Sequence, residues 1–126
     1  MLSGAPVMAF IPVRDLAAAR AFYRGTLGLP VIDENPFAVV LKAGGTLLRL
    51  TEVDALRPQP FTIAGWEVPD IGAAVDALAG RGVTFIRYEA MDHQDERGIW
   101  TTPGGDRVAW FKDPDGNTLS LTSFSR

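Results

Sequence analysis

Residues 13–19 of the chain read VRDLAAA, and residues 68–74 read VPDIGAA. Each stretch follows an apolar, β-like segment and opens an alanine-rich helix. Asp15 and Asp70 stand where an N-cap accepts hydrogen bonds from the unpaired N–H groups of a first helical turn. A repeat of this kind restricts a chain to architectures that pair or stack copies of one supersecondary unit.

The repeat extends past the helices. The first helix is predicted over 15–26, with Leu16, Ala19, Phe22, Tyr23 and Leu27 on one apolar stripe, and it stops at Gly28 ahead of Pro30. The second is predicted over 70–80, burying Ile71, Ala74, Val75 and Leu78, and it stops at Gly80 or Gly82. Short strands follow, Leu29 to Ile32 and Val83 to Ile86. Next come two hairpins. AVVLK (38–42) passes through Gly44-Gly45 into TLLRLTEV, and VAWFK (108–112) passes through DPDGN into TLSLTSF. The expected fold class is α+β, one domain over residues 1–126 made of two βαβββ modules, about 6–53 and about 60–124. A linker, 54–60, carries Pro58 and Pro60. The second module holds an inserted segment, 88–106, polar at first and then IWTTPGG, which is expected to be lid-like.

Composition excludes several kinds of chemistry. With 12 Lys plus Arg against 15 Asp plus Glu, there is no cation excess to displace counterions from nucleic acid. There is no cysteine and a single histidine, His93, so thiolate chemistry is absent and a structural zinc site is not expected. No apolar run approaches the ~20 residues of a membrane span. MLSGAPVMAFIPVRD has no basic segment ahead of its apolar stretch and reads as a first strand, so a cytoplasmic protein is expected. Gly44-Gly45 and Gly104-Gly105 lack the strand–loop–helix setting of a phosphate-binding loop. One loop histidine does not make a Ser–His–acid arrangement.

The pairing of V-x-D-L-x-x-A-x-x-FY-x-x-x-LG, starting at Val13, with F-x-DPDGN, starting at Phe111, resembles the vicinal oxygen chelate superfamily. That superfamily includes glyoxalase I, extradiol dioxygenases and bleomycin-binding resistance proteins. The resemblance covers nearly the whole chain and is specific for fold rather than function. It implies a curled mixed sheet around a cleft with the helices outside, and a homodimer. In metalloenzyme members, four inward side chains, usually His, Glu or Gln, hold one divalent ion. Carried onto this sequence, those positions are Met8 and Ile63, five residues before Val13 and Val68, and Arg49 and Ser120, each just before a Leu-Thr pair. A thioether, an alkyl group, a neutral hydroxyl and a permanent cation are a poor donor set for a hard or borderline dication. No metal and no other cofactor is expected.

Strand alternation then assigns the lining of the cleft. Phe10 and Pro12 accompany Met8, while Phe61, Gly65 and Glu67 accompany Ile63. Leu47 and Thr51 accompany Arg49, and Thr118 and Thr122 accompany Ser120. Phe111 should face the helices, which leaves Val108 and Trp110 in the cleft. A mostly apolar, aromatic cleft with a few polar groups suits a small molecule. Each residue has a plainer reading as well. Trp110 and Phe61 can simply fill the cleft. Trp66 falls on the core side. Trp100 is a rim stacker or a dimer contact, and Ile99 beside it is counted with it as exposed apolar surface. Arg49 is either an anion receptor or the partner of an acid such as Glu67 or Glu52. His93 is either a solvated loop residue or a general base on a closing loop.

Three functions remain open. The first is a metal-free binder of a small aromatic or anionic molecule, like the bleomycin-resistance branch, with Arg49, Trp110, Phe61, Phe10, Met8, Ile63, Ser120 and Trp100 as its contacts. The second is a glyoxalase- or dioxygenase-like enzyme, either metal-dependent through non-standard ligands or a metal-free lyase or isomerase using Glu67, Arg49 or His93. The third is a structural or regulatory dimer with no small ligand.

Overall fold

A computed structural model describes residues 1–126. The chain divides into two compact units, Met1–Arg57 and Pro58–Arg126. The first contains β1 (Met8–Val13), α1 (Leu16–Arg20), β2 (Val31–Asn35), β3 (Ala38–Ala43) and β4 (Thr46–Glu52). The second contains β5 (Thr62–Glu67), α2 (Ile71–Ala79), β6 (Phe85–Ile86), β7 (Trp100–Thr101), β8 (Arg107–Lys112) and β9 (Thr118–Ser123). Each unit is a βαβββ module around its own mixed sheet, and neither sheet closes. The orders are β1-β4-β3-β2 and β5-β9-β8-β6, with β7 added to β8. In both, the first strand runs parallel to the last and the remaining pairs are antiparallel.

In the first unit, alternation splits each strand into two faces. Ile11, Val13, Val39, Leu41, Leu48 and Leu50 are buried on the helix side with Ala19 and Tyr23. Asp15 caps α1, its Oδ1 accepting from the Ala18 N–H at 3.0 Å. The expected helix over 15–26 is α-helical only to Arg20. From Ala21 to Thr26 it widens into a π-helical turn, in which the Leu27 N–H reaches the Phe22 carbonyl at 2.9 Å. Nothing in the residues marks that change. Arg20 then grips Glu34 of β2 with two bonds of 3.0 and 3.1 Å. That hydrogen bond and the Arg20 charge hold the Glu34 carboxyl below its ordinary value. The strand after the helix starts at Val31 and extends to Asn35, later and longer than the apolar run suggested.

In the second unit, α2 is capped by Asp70, which accepts from the Ala73 N–H at 3.0 Å, and it buries Ile71 and Val75. Phe111 is fully buried between Trp66 (ring centroids 6.4 Å apart) and Phe85 (5.4 Å). This places Phe111 in the core, with the half-buried Trp66 packed on it from the same side of the sheet, as alternation required. The DPDGN turn is organised by Asp113. One carboxylate oxygen accepts from the N–H groups of Asp115 and Asn117, at 3.0 and 2.9 Å, and the other from the Asn117 side-chain amide at 2.9 Å. Gly116 supplies the left-handed φ of 90° that the turn needs.

The inserted segment is tied to the unit at several points. Asp95 accepts from the N–H groups of Arg97 (2.8 Å) and Ile99 (3.0 Å), and the Arg97 guanidinium bridges to Asp76 of α2 at 3.1 Å and to Asp95 at 3.4 Å. Burial pushes the Asp95 carboxyl up, but the two backbone bonds and the Arg97 charge outweigh it and leave it below its ordinary value. Ile99 is buried, not exposed as its polar surroundings suggested, because this knot turns it into the core.

Candidate functional site

The face of the second sheet opposite α2 carries most of the singled-out residues. Its central row runs Ile86–Trp110–Ser120–Gly65 across β6, β8, β9 and β5. The neighbouring row is Trp100–Val108–Thr122–Glu67. Trp110 stacks on Trp100 with centroids 6.0 Å apart and planes 29° apart, and Tyr88 meets it edge-on at 5.5 Å. Its indole N–H donates to Thr62 Oγ1 at 3.0 Å, which satisfies the one polar atom of the ring. A cavity of about 240 Å³ opens here. Phe61, Tyr88, Trp110 and Met91 form its apolar wall, and Thr62 and Thr118 supply hydroxyls. No carboxylate, imidazole or ammonium group lines it.

Alternation does not hold along β5. The register shifts between Thr62 and Ala64, so Ile63 is a bulged residue with no partner on β9, and Thr62 pairs with Thr118. Thr62 therefore joins the Ser120 face, where strict alternation placed Ile63. The residue opposite Ser120 is Gly65. A Cβ on Gly65 would collide with the Ser120 hydroxyl and come within 3.1 Å of its carbonyl oxygen, so the two backbones lie in close approach. Ser120 itself is buried. Tyr88, Met91 and Thr62 were not anticipated as lining residues. Tyr88 and Met91 belong to the inserted segment, whose position no periodicity announces, and Thr62 is brought in by the bulge.

In the first unit, the face opposite α1 carries the rows Met8–Leu47–Lys42, Phe10–Arg49–Val40–Asp33 and Pro12–Thr51–Ala38. Arg49 is partly buried, with its guanidinium 5.7 Å from the centroid of the Phe10 ring. Phe10 is 62% exposed and Met8 40%. The acids proposed as partners of Arg49 are engaged or turned elsewhere. Glu67 bonds Arg126 at 3.0 Å, and Glu52 shares its row with Val13 on the opposite face. His93 lies outside the aromatic cavity. It lines a separate pocket with Thr101, Thr102 and Pro103, and takes a left-handed φ of 64° while its carbonyl accepts from the Thr101 N–H.

The residues do not supply a ligand set for the divalent ion that the fold implies. No three His, Cys, Asp or Glu side chains come together anywhere in the chain. Of the four inherited positions, Arg49 is a cation on the open sheet face, Ile63 is a bulged alkyl side chain, and Met8 and Ser120 offer one thioether and one hydroxyl. This donor set does not fit a hard or borderline dication.

Two βαβββ modules, each with a mixed sheet and an open face, define the class. The profile of the Glyoxalase/Bleomycin resistance protein/Dioxygenase superfamily matches residues 5–121, and the chain belongs to that superfamily. Among solved structures, a superfamily member from Sphaerobacter thermophilus DSM 20745 is 29% identical, with a TM-score of 0.75 over 98% of this chain and 100% of that one. A lactoylglutathione lyase from Agrobacterium tumefaciens is 25% identical, with a TM-score of 0.66 over 95% and 93%. A superfamily protein from Alicyclobacillus acidocaldarius shares the fold at 19% identity, with a TM-score of 0.75 over 98% and 93%. No match is found among curated proteins. No helix is long and apolar enough to cross a membrane.

Proposed function

We propose that the chain is a metal-free binding protein that holds a small, partly aromatic molecule against the open face of the second sheet. The observation that carries this reading is the aromatic corner around Trp110. Trp100 and Tyr88 brace the indole, Thr62 takes up its N–H, and Phe61 and Met91 extend the apolar wall. Rigid aromatic walls with a few hydroxyls hold and orient flat ligands. The absence of a carboxylate or imidazole from the lining favours holding a molecule over moving its protons. The protein is proposed to act in the cytoplasm as a homodimer, which sedimentation of the purified chain checks.

Calorimetric titration with 2-naphthamide, a flat neutral probe, tests the binding reading. Saturable binding is expected, weakened about tenfold in Trp110→Ala, since one aromatic contact contributes about 0.5–1.5 kcal/mol in addition to its buried area. Binding that is unchanged in Trp110→Ala would move the site elsewhere.

A second reading is catalytic. The likeness to a lactoylglutathione lyase at 25% identity favours it, and Glu67 and His93 are its acid–base candidates. It predicts lactoylglutathione formation by the purified chain supplied with Ni, Zn or Mg ions. It also predicts loss of that activity in Glu67→Gln or His93→Gln.

A further inference from the structure

We propose that the open face of the first sheet is an anion receptor, in which the Arg49 guanidinium takes the carboxylate or phosphate oxygens of a small anion. This goes beyond the binding reading and does not rest on it.

Arg49 stands on β4, an interior strand, between Phe10 and Val40 of the flanking strands. It is partly buried. Arg20 of this unit is paired with Glu34, whereas Arg49 has no carboxylate within 4.0 Å and no hydrogen bond to the protein. Its neighbour is an aromatic ring. A partly desolvated guanidinium with no counter-charge beside it is an arrangement that an anion stabilises.

Two further groups on the same face point the same way. Lys42, on β3 opposite Leu47, lies one row from Arg49 and forms no ion pair. Thr51, two residues along β4, has a hydroxyl shielded from solvent with no hydrogen-bond partner. A forked guanidinium, a nearby ammonium and a spare hydroxyl donor match the needs of a carboxylate or phosphate. One acid shares the Arg49 row. Asp33 lies across Val40, two strand spacings or roughly 10 Å away backbone to backbone, and it makes no ion pair with Arg49.

Two measurements test the proposal separately from the aromatic reading. The first follows the Arg49 Nε–Hε resonance of the whole chain, assigned by its loss in Arg49→Lys, during titration with inorganic phosphate and then acetate. A saturable shift at Arg49, absent at the exposed Arg24, is expected. An Arg49 response no different from that of Arg24 overturns the proposal. The second compares 2-naphthoate with 2-naphthamide by calorimetry. Wild-type protein is expected to prefer the carboxylate by about tenfold or more, the scale of one charge-assisted hydrogen bond. Arg49→Gln should abolish that preference and leave the affinity for the amide unchanged. Equal affinities in the wild type overturn the anion receptor and leave the aromatic site standing. A saturable phosphate shift with no binding of either naphthyl probe sinks the aromatic reading and keeps the receptor.

Discussion

Gly65 and Ser120 face each other across β5 and β9, and their approach leaves no room for a side chain on Gly65. Gly65→Ala is expected to destabilise the protein by roughly 1–3 kcal/mol through overpacking. The closest obstacle is the Ser120 hydroxyl, so the double variant with Ser120→Ala should recover part of that loss. The carbonyl at 3.1 Å remains and prevents full recovery. Urea denaturation of the four proteins of the cycle measures both effects. The Asp113 carboxylate accepts at least three hydrogen bonds from a buried position in its turn. Asp113→Ala should lower stability by about 2–3 kcal/mol, at about 1 kcal/mol per bond. Strand alternation put Gly65 and Ser120 on the same face, though it did not pair them across the two strands. The closeness of their backbones was not legible in the sequence, because it depends on how two strands far apart in sequence pack.

At the scale of elements, both helices begin with an aspartate whose carboxylate accepts a backbone N–H. Asp70→Ala should remove about 1 kcal/mol, read as a lower urea midpoint with an unchanged slope. The inserted segment depends on Asp95 in a way that pH can expose. Its carboxyl lies below the ordinary 3.8 in the folded protein, so its contribution is complete above that value and is lost as pH falls through the folded one. The wild-type protein should therefore lose more stability between pH 6 and pH 3 than Asp95→Asn does. Equal losses would show that the knot does not depend on the carboxylate charge. Because the knot places Ile99 in the core and Trp100 on Trp110, Asp95→Asn should also change tryptophan fluorescence at neutral pH.

For the whole molecule, the decisive quantity is metal content. Untagged protein offered Ni, Zn, Fe, Mn and Mg and then dialysed is expected to retain close to none per chain, given the donors at positions 8, 49, 63 and 120. One equivalent of metal would overturn that expectation and make the lyase reading the one to pursue. The outcome also bears on Arg49, since a dication and a guanidinium repel strongly at short range.

The duplicated module, the helix caps, both hairpins and the two faces of the first sheet can be read from the order of the amino acids. Each of these rests on local chemistry: a carboxylate before a helix, a glycine at a positive φ, a two-residue period. Folding in three dimensions set the rest. It bulged Ile63 out of register and brought Thr62 in beside Trp110. It paired Glu67 with Arg126 and left Arg49 without an acid. It also folded the inserted segment so that Ile99 is buried and Tyr88 and Met91 line the cavity. These outcomes depend on which residues distant in the chain come within reach of one another. A bulge costs little locally, and an ion pair goes to the nearest opposite charge, so neither leaves a periodic trace in the order of the amino acids.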